Sequence, residues 1–312
     1  MGCGSSFEAS DGPRTVVVFG STGYLGGAVA TRLLQEPFLY KVRCVTRRSS
    51  SDKARKLAEH GAVIVNADLG EPKSLQKALD GADVMFLTTH YWEEKNKEKE
   101  VIKGLNAIDA AIQCGVKHII LNGSENIKKV IGKDCSNLDS KAAIEEYLRE
   151  VGVNYTIIRL PFWYENFCNV FKPHKLKHGV YAIALPLEDA EVDAISVEDV
   201  GECVSSILRR PRQYYGKTLS LAADRLSMDK ILTVFNKHFN NRKFVDPKIR
   251  LKDYEKFQFV GAKDITAMFE FYQTVIIPRD IKLTKRLNPS LLTFDKWMSE
   301  NKEEIEDALK ES

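Results

Sequence analysis

The chain has 312 residues, 44% hydrophobic and 29% charged, with a formal net charge of +3. That is ordinary for a globular protein able to bury a sizeable core. It is too weakly basic to argue for direct nucleic-acid binding, and no apolar run approaches the ~18 residues of a membrane helix. Six cysteines, at 3, 44, 114, 135, 168 and 203, form no CxxC pair and match no zinc spacing. Reduced thiols, no metal site and a cytoplasmic or nuclear protein are therefore expected.

The first residues, MGCGSS, match an acylation pattern: Gly2 after Met removal, Ser at position 6, and Cys3 for a second lipid. One acyl chain binds membranes marginally and two anchor stably, so membrane association is expected only if Gly2 and Cys3 are modified. The same composition also reads as a disordered leader over 1–13.

The next segment, TVVVFGSTGYLGG, runs from a β-branched stretch at 16–19 into glycines at 20, 23 and 26, and a helix begins near Tyr24. Strand, glycine turn and helix are how an α/β sheet holds a dinucleotide pyrophosphate. A glycine-rich turn in a ligand-free α/β protein is the alternative. Strand signals then alternate with helical ones: strands at 40–46, 62–66, 83–89, 117–122 and 154–160, and helices at 51–60, 72–79, 93–114 and 137–150. This predicts a Rossmann-type, doubly wound parallel sheet over 14–160 in the order 3-2-1-4-5-6. Beyond Pro161 the pattern loosens. Short strands at 180–185 and 217–221 and helices at 197–210, 227–239, 261–274 and 293–309 predict a smaller C-terminal α/β lobe over 161–312. The charge run EEKNKEKE at 93–100 reads as a solvated helix face. His174 and His178 are four apart in a stretch that reads as a loop.

The second strand ends in Thr46-Arg47-Arg48-Ser49, with no acid for a ribose hydroxyl. An arginine there can hold a 2′-phosphate with paired charged hydrogen bonds, which favours NADP(H) over NAD; exposed loop charges are the bland reading. By position, Asp68 and Leu69 fall at the adenine edge. Thr88, Thr89, His90 and Tyr91 fall beside the phosphates and nicotinamide ribose, although Thr88 reads equally as core.

The spacing GxxGxxG resembles the short-chain dehydrogenase superfamily, whose carbonyl chemistry uses Ser, then Tyr thirteen residues on, then Lys four beyond. Here Ser124 is followed by Asn137 and Lys141. The proton donor is absent, and an amide is no general acid near neutral pH. Lys141 reads either as a ribose ligand or as a general base. Tyr91 and Lys95 match Tyr-x3-Lys but precede the serine, so that match reads as coincidence.

VVVFGSTGYLGG, VTRR, THYWE, GSENIKK, LPFWYENF and RDIKLTKRLNP together resemble the NmrA-like family of atypical short-chain dehydrogenase folds, in particular its vertebrate redox-sensor members. The resemblance implies an NADP(H)-binding regulator with little or no dehydrogenase activity. Its oligomeric state, including a homodimer, and its protein partners would follow the NADPH/NADP ratio. It places cofactor contacts on Gly20, Ser21, Thr22, Gly23, Tyr24, Leu25, Gly26, Arg47, Asp68, Thr89, His90, Tyr91, Lys141, Trp163, Tyr164, Glu165 and Asn166. Trp163 and Tyr164 read equally well as core aromatics. An NADPH-dependent reductase using Lys141 is the second function in play.

Overall fold

The structure is a computed structural model that describes residues 12–257 and 259–310. The acylation-like start, Gly2 and Cys3, lies outside the described residues. In chain order the first half comprises β1 (Arg14–Val18), α1 (Tyr24–Leu34), β2 (Tyr40–Thr46), α2 (Asp52–Glu59), β3 (Val63–Asn66), α3 (Pro72–Leu79), β4 (Val84–Leu87), α4 (Tyr91–Glu94), α5 (Lys97–Gln113), β5 (His118–Gly123), α6 (Ile127–Ile131), α7 (Ser136–Glu150) and β6 (Tyr155–Arg159). The second half adds β7 (Phe162–Trp163), a 3-10 turn (Tyr164–Cys168), β8 (His174–Lys175), β9 (Val180–Ala182), β10 (Val192–Ile195), α8 (Val197–Arg209), α9 (Pro211–Tyr214), β11 (Lys217–Ser220), β12 (Asp224–Leu226), α10 (Met228–His238), β13 (Lys243–Val245), α11 (Leu251–Tyr254), α12 (Ala262–Thr274), α13 (Ile281–Leu287), α14 (Phe294–Glu300) and α15 (Lys302–Lys310).

The main sheet runs β11-β6-β5-β4-β1-β2-β3 and is parallel throughout. Its central strands β4 and β5 are buried along their whole length, as a parallel sheet covered on both faces requires. The expected order of six strands is present, and it reverses between β1 and β4. Ligands of such sheets bind at that reversal, outside the carboxyl ends of the strands.

Three expectations are corrected. The Rossmann unit does not end at 160: the chain returns to add β11 beside β6, with Lys217 opposite Thr156 and Ser220 opposite Arg159. Helix α8 packs along α1 so closely that a Cβ on Gly201 would lie 2.7 Å from the Ala28 carbonyl oxygen. The long helix expected over 93–114 is two, because Lys95 is left-handed (φ 51°) and Asn96 starts α5 by accepting from the Lys99 N–H at 2.8 Å. In the 174–178 stretch expected to be a loop, His174 and Lys175 form a short strand pairing with β9, and His178 is left-handed. Two small sheets, β12-β10-β7 and β13-β9-β8, complete the second half. They enclose an aromatic core of Tyr164, Phe167, Phe235, Phe294 and Trp297.

A pair of buried carboxylates fastens α8. Glu165 accepts from the Ser196 hydroxyl at 2.6 Å and from the Val197 N–H at 3.1 Å, while Asp199 accepts from Asn288 Nδ2 at 2.6 Å and the Leu292 N–H at 3.1 Å. Burial pushes Glu165 up to about 6 and Asp199 up to about 7. The folded state therefore holds protons that the unfolded chain has lost between about pH 4 and 7. Stability contributed by these groups is present at the low end of that window and falls as pH rises through it. The urea midpoint of Asp199→Asn should fall less steeply than wild type from pH 5 to 7.5; identical slopes would refute the assignment.

Candidate functional site

The glycine loop is built by close approach. Gly20 sits in the left-handed region (φ 70°), and a Cβ there would come within 2.7 Å of Thr88 Cγ2. A Cβ on Gly26 would overlap the Gly20 carbonyl oxygen, so only glycine lets α1 close onto the turn. Gly23 donates to that same carbonyl at 2.9 Å and is the N-cap of α1. The helix starts with no side-chain cap and no acid in its first turn. Its first N–H groups have no intrahelical acceptors and carry the positive end of the helix dipole, so the terminus suits an anion. Ser21 and Leu25 are buried, and the Ser21 hydroxyl donates to the Val45 carbonyl at 2.9 Å. Their side chains fasten the loop, which leaves their backbone as what they can offer a ligand. Thr22 is half-buried. Tyr24 is exposed, and its hydroxyl donates to Asn169 Oδ1 at 3.1 Å, a partner that no motif flagged.

Arg47, half-exposed at the end of β2, forms an ion pair with Glu93 of α4. Arg48 donates its N–H to the Thr46 hydroxyl at 3.1 Å. Asp68 folds its carboxylate back onto the Gly70 N–H at 2.7 Å, and the Leu69 carbonyl accepts from Asn106 at 3.0 Å. Both shape the turn after β3.

The densest polar cluster lies after β4. Lys141 Nζ pairs with the buried Glu100 and also donates to the Thr89 carbonyl at 3.1 Å and the Thr89 hydroxyl at 3.3 Å. Glu100 accepts in addition from the Thr89 hydroxyl at 2.5 Å and from Ser140. His90 reaches the surface, yet the protein packed around its ring and then the Lys141 ammonium hold its pKa below the usual histidine value. The Tyr91 hydroxyl donates to Asp264 of α12 at 3.1 Å, and the other oxygen of Asp264 accepts from the Ser136 N–H at 2.6 Å. Trp92 packs against Gly261, where any Cβ would overlap its ring. Helix α4 is thus a strap running from Arg47 to α12 across the carboxyl ends of the central strands.

Asn137, at the position of the missing tyrosine, is buried and accepts from the Cys135 thiol at 3.1 Å. The thiol stays protonated because burial, and then Asp264, raise its pKa. In the segment carried over from the resemblance, the Tyr164 hydroxyl is spent on Asp224 at 2.8 Å and the Glu165 carboxylate on the start of α8. Tyr164 is therefore a core aromatic. Trp163 is half-buried against the main core, and Asn166 accepts through its carbonyl from the Asn169 and Phe171 N–H groups.

The charge run expected to be a solvated face is corrected in part: Glu93 meets Arg47 and Glu100 meets Lys141. A signal existed for Glu100. Besides Glu100 the buried positions of α5 are 104, 107, 108, 110 and 111, and one turn back from 104 along that face is 100. Asp264 carried no signal, since only the fold brings α12 to α4.

The NmrA-like family model matches residues 13–301. An NmrA-like family domain-containing protein of Dictyostelium discoideum is 28% identical over 256 residues, covering 78% of this chain and 84% of that one. The NmrA-like family domain-containing oxidoreductase FrzB of Cladobotryum sp. is 27% identical over 284 residues, covering 83% and 84%. Among solved structures, NmrA, a negative transcriptional regulator in complex with NADP, superposes with a TM-score of 0.82 at 17% identity, covering 96% of this chain and 99% of that one.

The Lys141–Glu100 pair makes a direct prediction. Lys141→Met leaves a buried carboxylate unpaired and should cost about 3–5 kcal/mol of stability. Adding Glu100→Gln should restore most of it in a double-mutant cycle of urea midpoints; additive losses would show that the two do not interact.

Proposed function

The chain belongs to the NmrA-like family, and from that premise we propose that it is an NADP(H)-binding regulator whose cofactor occupancy changes its contacts with other proteins. NmrA itself is described in complex with NADP and with NAD. The residues here fit such a group: glycines where a Cβ would intrude, an uncapped helix start, and an arginine where a 2′-phosphate is expected. The backbone of residues 20–26 would hold the pyrophosphate, Arg47 the 2′-phosphate, and the Thr89–Tyr91 segment with Lys141 the nicotinamide end. When bound, the cofactor supplies a hydride-carrying ring. No tyrosine stands between Ser124 and Lys141 to deliver the matching proton.

The observation that carries the reading is the Arg47–Glu93 ion pair. A 2′-phosphate and the Glu93 carboxylate compete for one guanidinium, so binding frees the strap that Tyr91 and Trp92 fasten to α12. Occupancy is thereby coupled to a surface away from the cofactor. Discrimination between NADPH and NADP must arise at the nicotinamide ring, where the two differ, because a ligand that binds two states equally shifts neither. Lys141 is the charged candidate, and His90, whose neutral form its surroundings favour, is the polar one. Protein partners, a second copy of the chain among them, and a cytoplasmic or nuclear setting with membrane contact only on acylation, belong to the same proposal.

A second reading, an NADPH-dependent reductase using Lys141, draws support from relatives named oxidoreductases. Against it stands the engagement of the Lys141 ammonium by Glu100 and Thr89. NADPH consumption with a panel of ketones and enones, abolished by Lys141→Ala, would establish the reductase; tight NADPH binding without turnover supports the regulator.

Calorimetric titration tests the cofactor site. Arg47→Asp should weaken NADPH binding about ten- to a thousandfold and NADH binding little. Glu93→Gln, which removes the competitor, should tighten NADPH binding by about two- to fivefold. Equal losses for both dinucleotides in Arg47→Asp would overturn the assignment.

A further inference from the structure

Beyond the carboxyl end of β6 lies a half-open cavity of about 260 Å³ that shares no residue with the cofactor site. Liquid water occupies roughly 30 Å³ per molecule, so the space suits a substituted ring. Val275, Ile277 and Val192 supply apolar wall, and Arg225 stands at the rim.

Two donors face this space without acceptors. Tyr272 packs its ring against Phe269 and Phe271, and its hydroxyl meets no hydrogen-bond partner among the described residues. Arg279 has a side chain only 3% exposed. It gives Nη1 to the Arg159 carbonyl at 3.1 Å and Nη2 to Glu125 at 3.3 Å, but its Nε stands 4.0 Å from Asp193, beyond hydrogen-bond reach. Neither donor is spent on a protein acceptor, so an oxygen that enters the cavity can accept from both. Burial holds the Tyr272 phenol above the usual range, so it stays a donor.

The charges decide the ligand class. Asp193 is bound by Arg225 at 3.1 Å, directly across the β10–β12 pair, Glu191 by Lys230 at 2.8 Å, and Arg279 by Glu125. Each ion already has its counter-ion. An incoming carboxylate would meet Asp193 and Glu191 with no unneutralised cation to favour it, whereas a neutral oxygen acceptor satisfies both donors at no such cost.

We propose that this cavity is a second small-molecule site, which takes an uncharged carbonyl compound with a ring-sized apolar body and holds its oxygen by Tyr272 Oη and Arg279 Nε. The site does not depend on the reading of the cofactor pocket. Helix α12 carries Tyr272 at this cavity and Asp264 at the strap, so one element borders both sites.

The test uses saturation-transfer NMR and titration on the full chain with NADPH present, with acetophenone as the probe and benzoate and ethylbenzene as controls. Acetophenone should bind more tightly than either control. Tyr272→Phe should weaken it about three- to tenfold, the loss of one hydrogen bond, without lowering the thermal midpoint, because that hydroxyl has no partner to lose. Ala190→Phe, which puts a bulky side chain into the cavity lining, should abolish acetophenone binding. Both variants should keep wild-type NADPH affinity; this control reports the cofactor reading separately and shows that each variant is folded. Acetophenone affinity unchanged in both variants, no acetophenone binding to wild type, or tighter binding of benzoate would each overturn the proposal.

Discussion

The buried contact between Lys141 and Glu100 organises the carboxyl ends of the central strands. It joins α7 to α5, and through Thr89 it reaches the loop that leaves β4. Neither charge tolerates the interior alone, so the two elements must approach together. Five oxygens, the Thr89 carbonyl and hydroxyl, the Ser140 hydroxyl and the two carboxylate positions of Glu100, share the donors present. The loop emerging from it, His90 into α4, therefore starts from a fixed point.

That fixed point gives the strap its meaning. Only four residues long, α4 has too little internal bonding to persist by itself. Its position depends on Arg47 at one side, Asp264 and Gly261 at the other, and the Lys99 and Lys103 partners of Glu94. Those anchors come from β2, α12 and α5. A change at any one of them is felt by the others because the element between them is short. The lysine at the centre of the site is accordingly positioned by its carboxylate, and the absent tyrosine is replaced by an amide that serves the Cys135 thiol.

The first half of the fold was legible because its signals are local: apolar strand runs, glycine at the turn, Pro72 opening α3, and glycines closing helices. The glycine loop could be read residue by residue, since Gly23 and Gly26 answer steric demands set within seven positions by Phe19 and Gly20, and Gly20 has the left-handed backbone of the turn itself. What escaped was set by contacts between distant segments. β11 joins the main sheet only because β6 would otherwise be an open edge, and its four residues carry no mark of that. Glu93 and Glu100 sit in a run of charges whose outward character is real for most members, so composition hid the one that turns inward, Glu100, and the surface pairing of Glu93 with Arg47. Tyr164 and Glu165 lie beside residues facing the cleft, and a 3-10 turn sends their side chains to the core and to α8. The left-handed Lys95 that separates α4 from α5 has no glycine to announce it.

In the proposed function, NADP(H) held at the glycine loop is read through the strap between Arg47 and α12. Amide hydrogen exchange over residues 91–100 and 262–274, measured without cofactor and at saturation with NADPH and with NADP, tests it most directly. Saturation with NADPH should change protection in both segments together. Saturated binding that leaves the exchange of both segments identical to the free chain would contradict it.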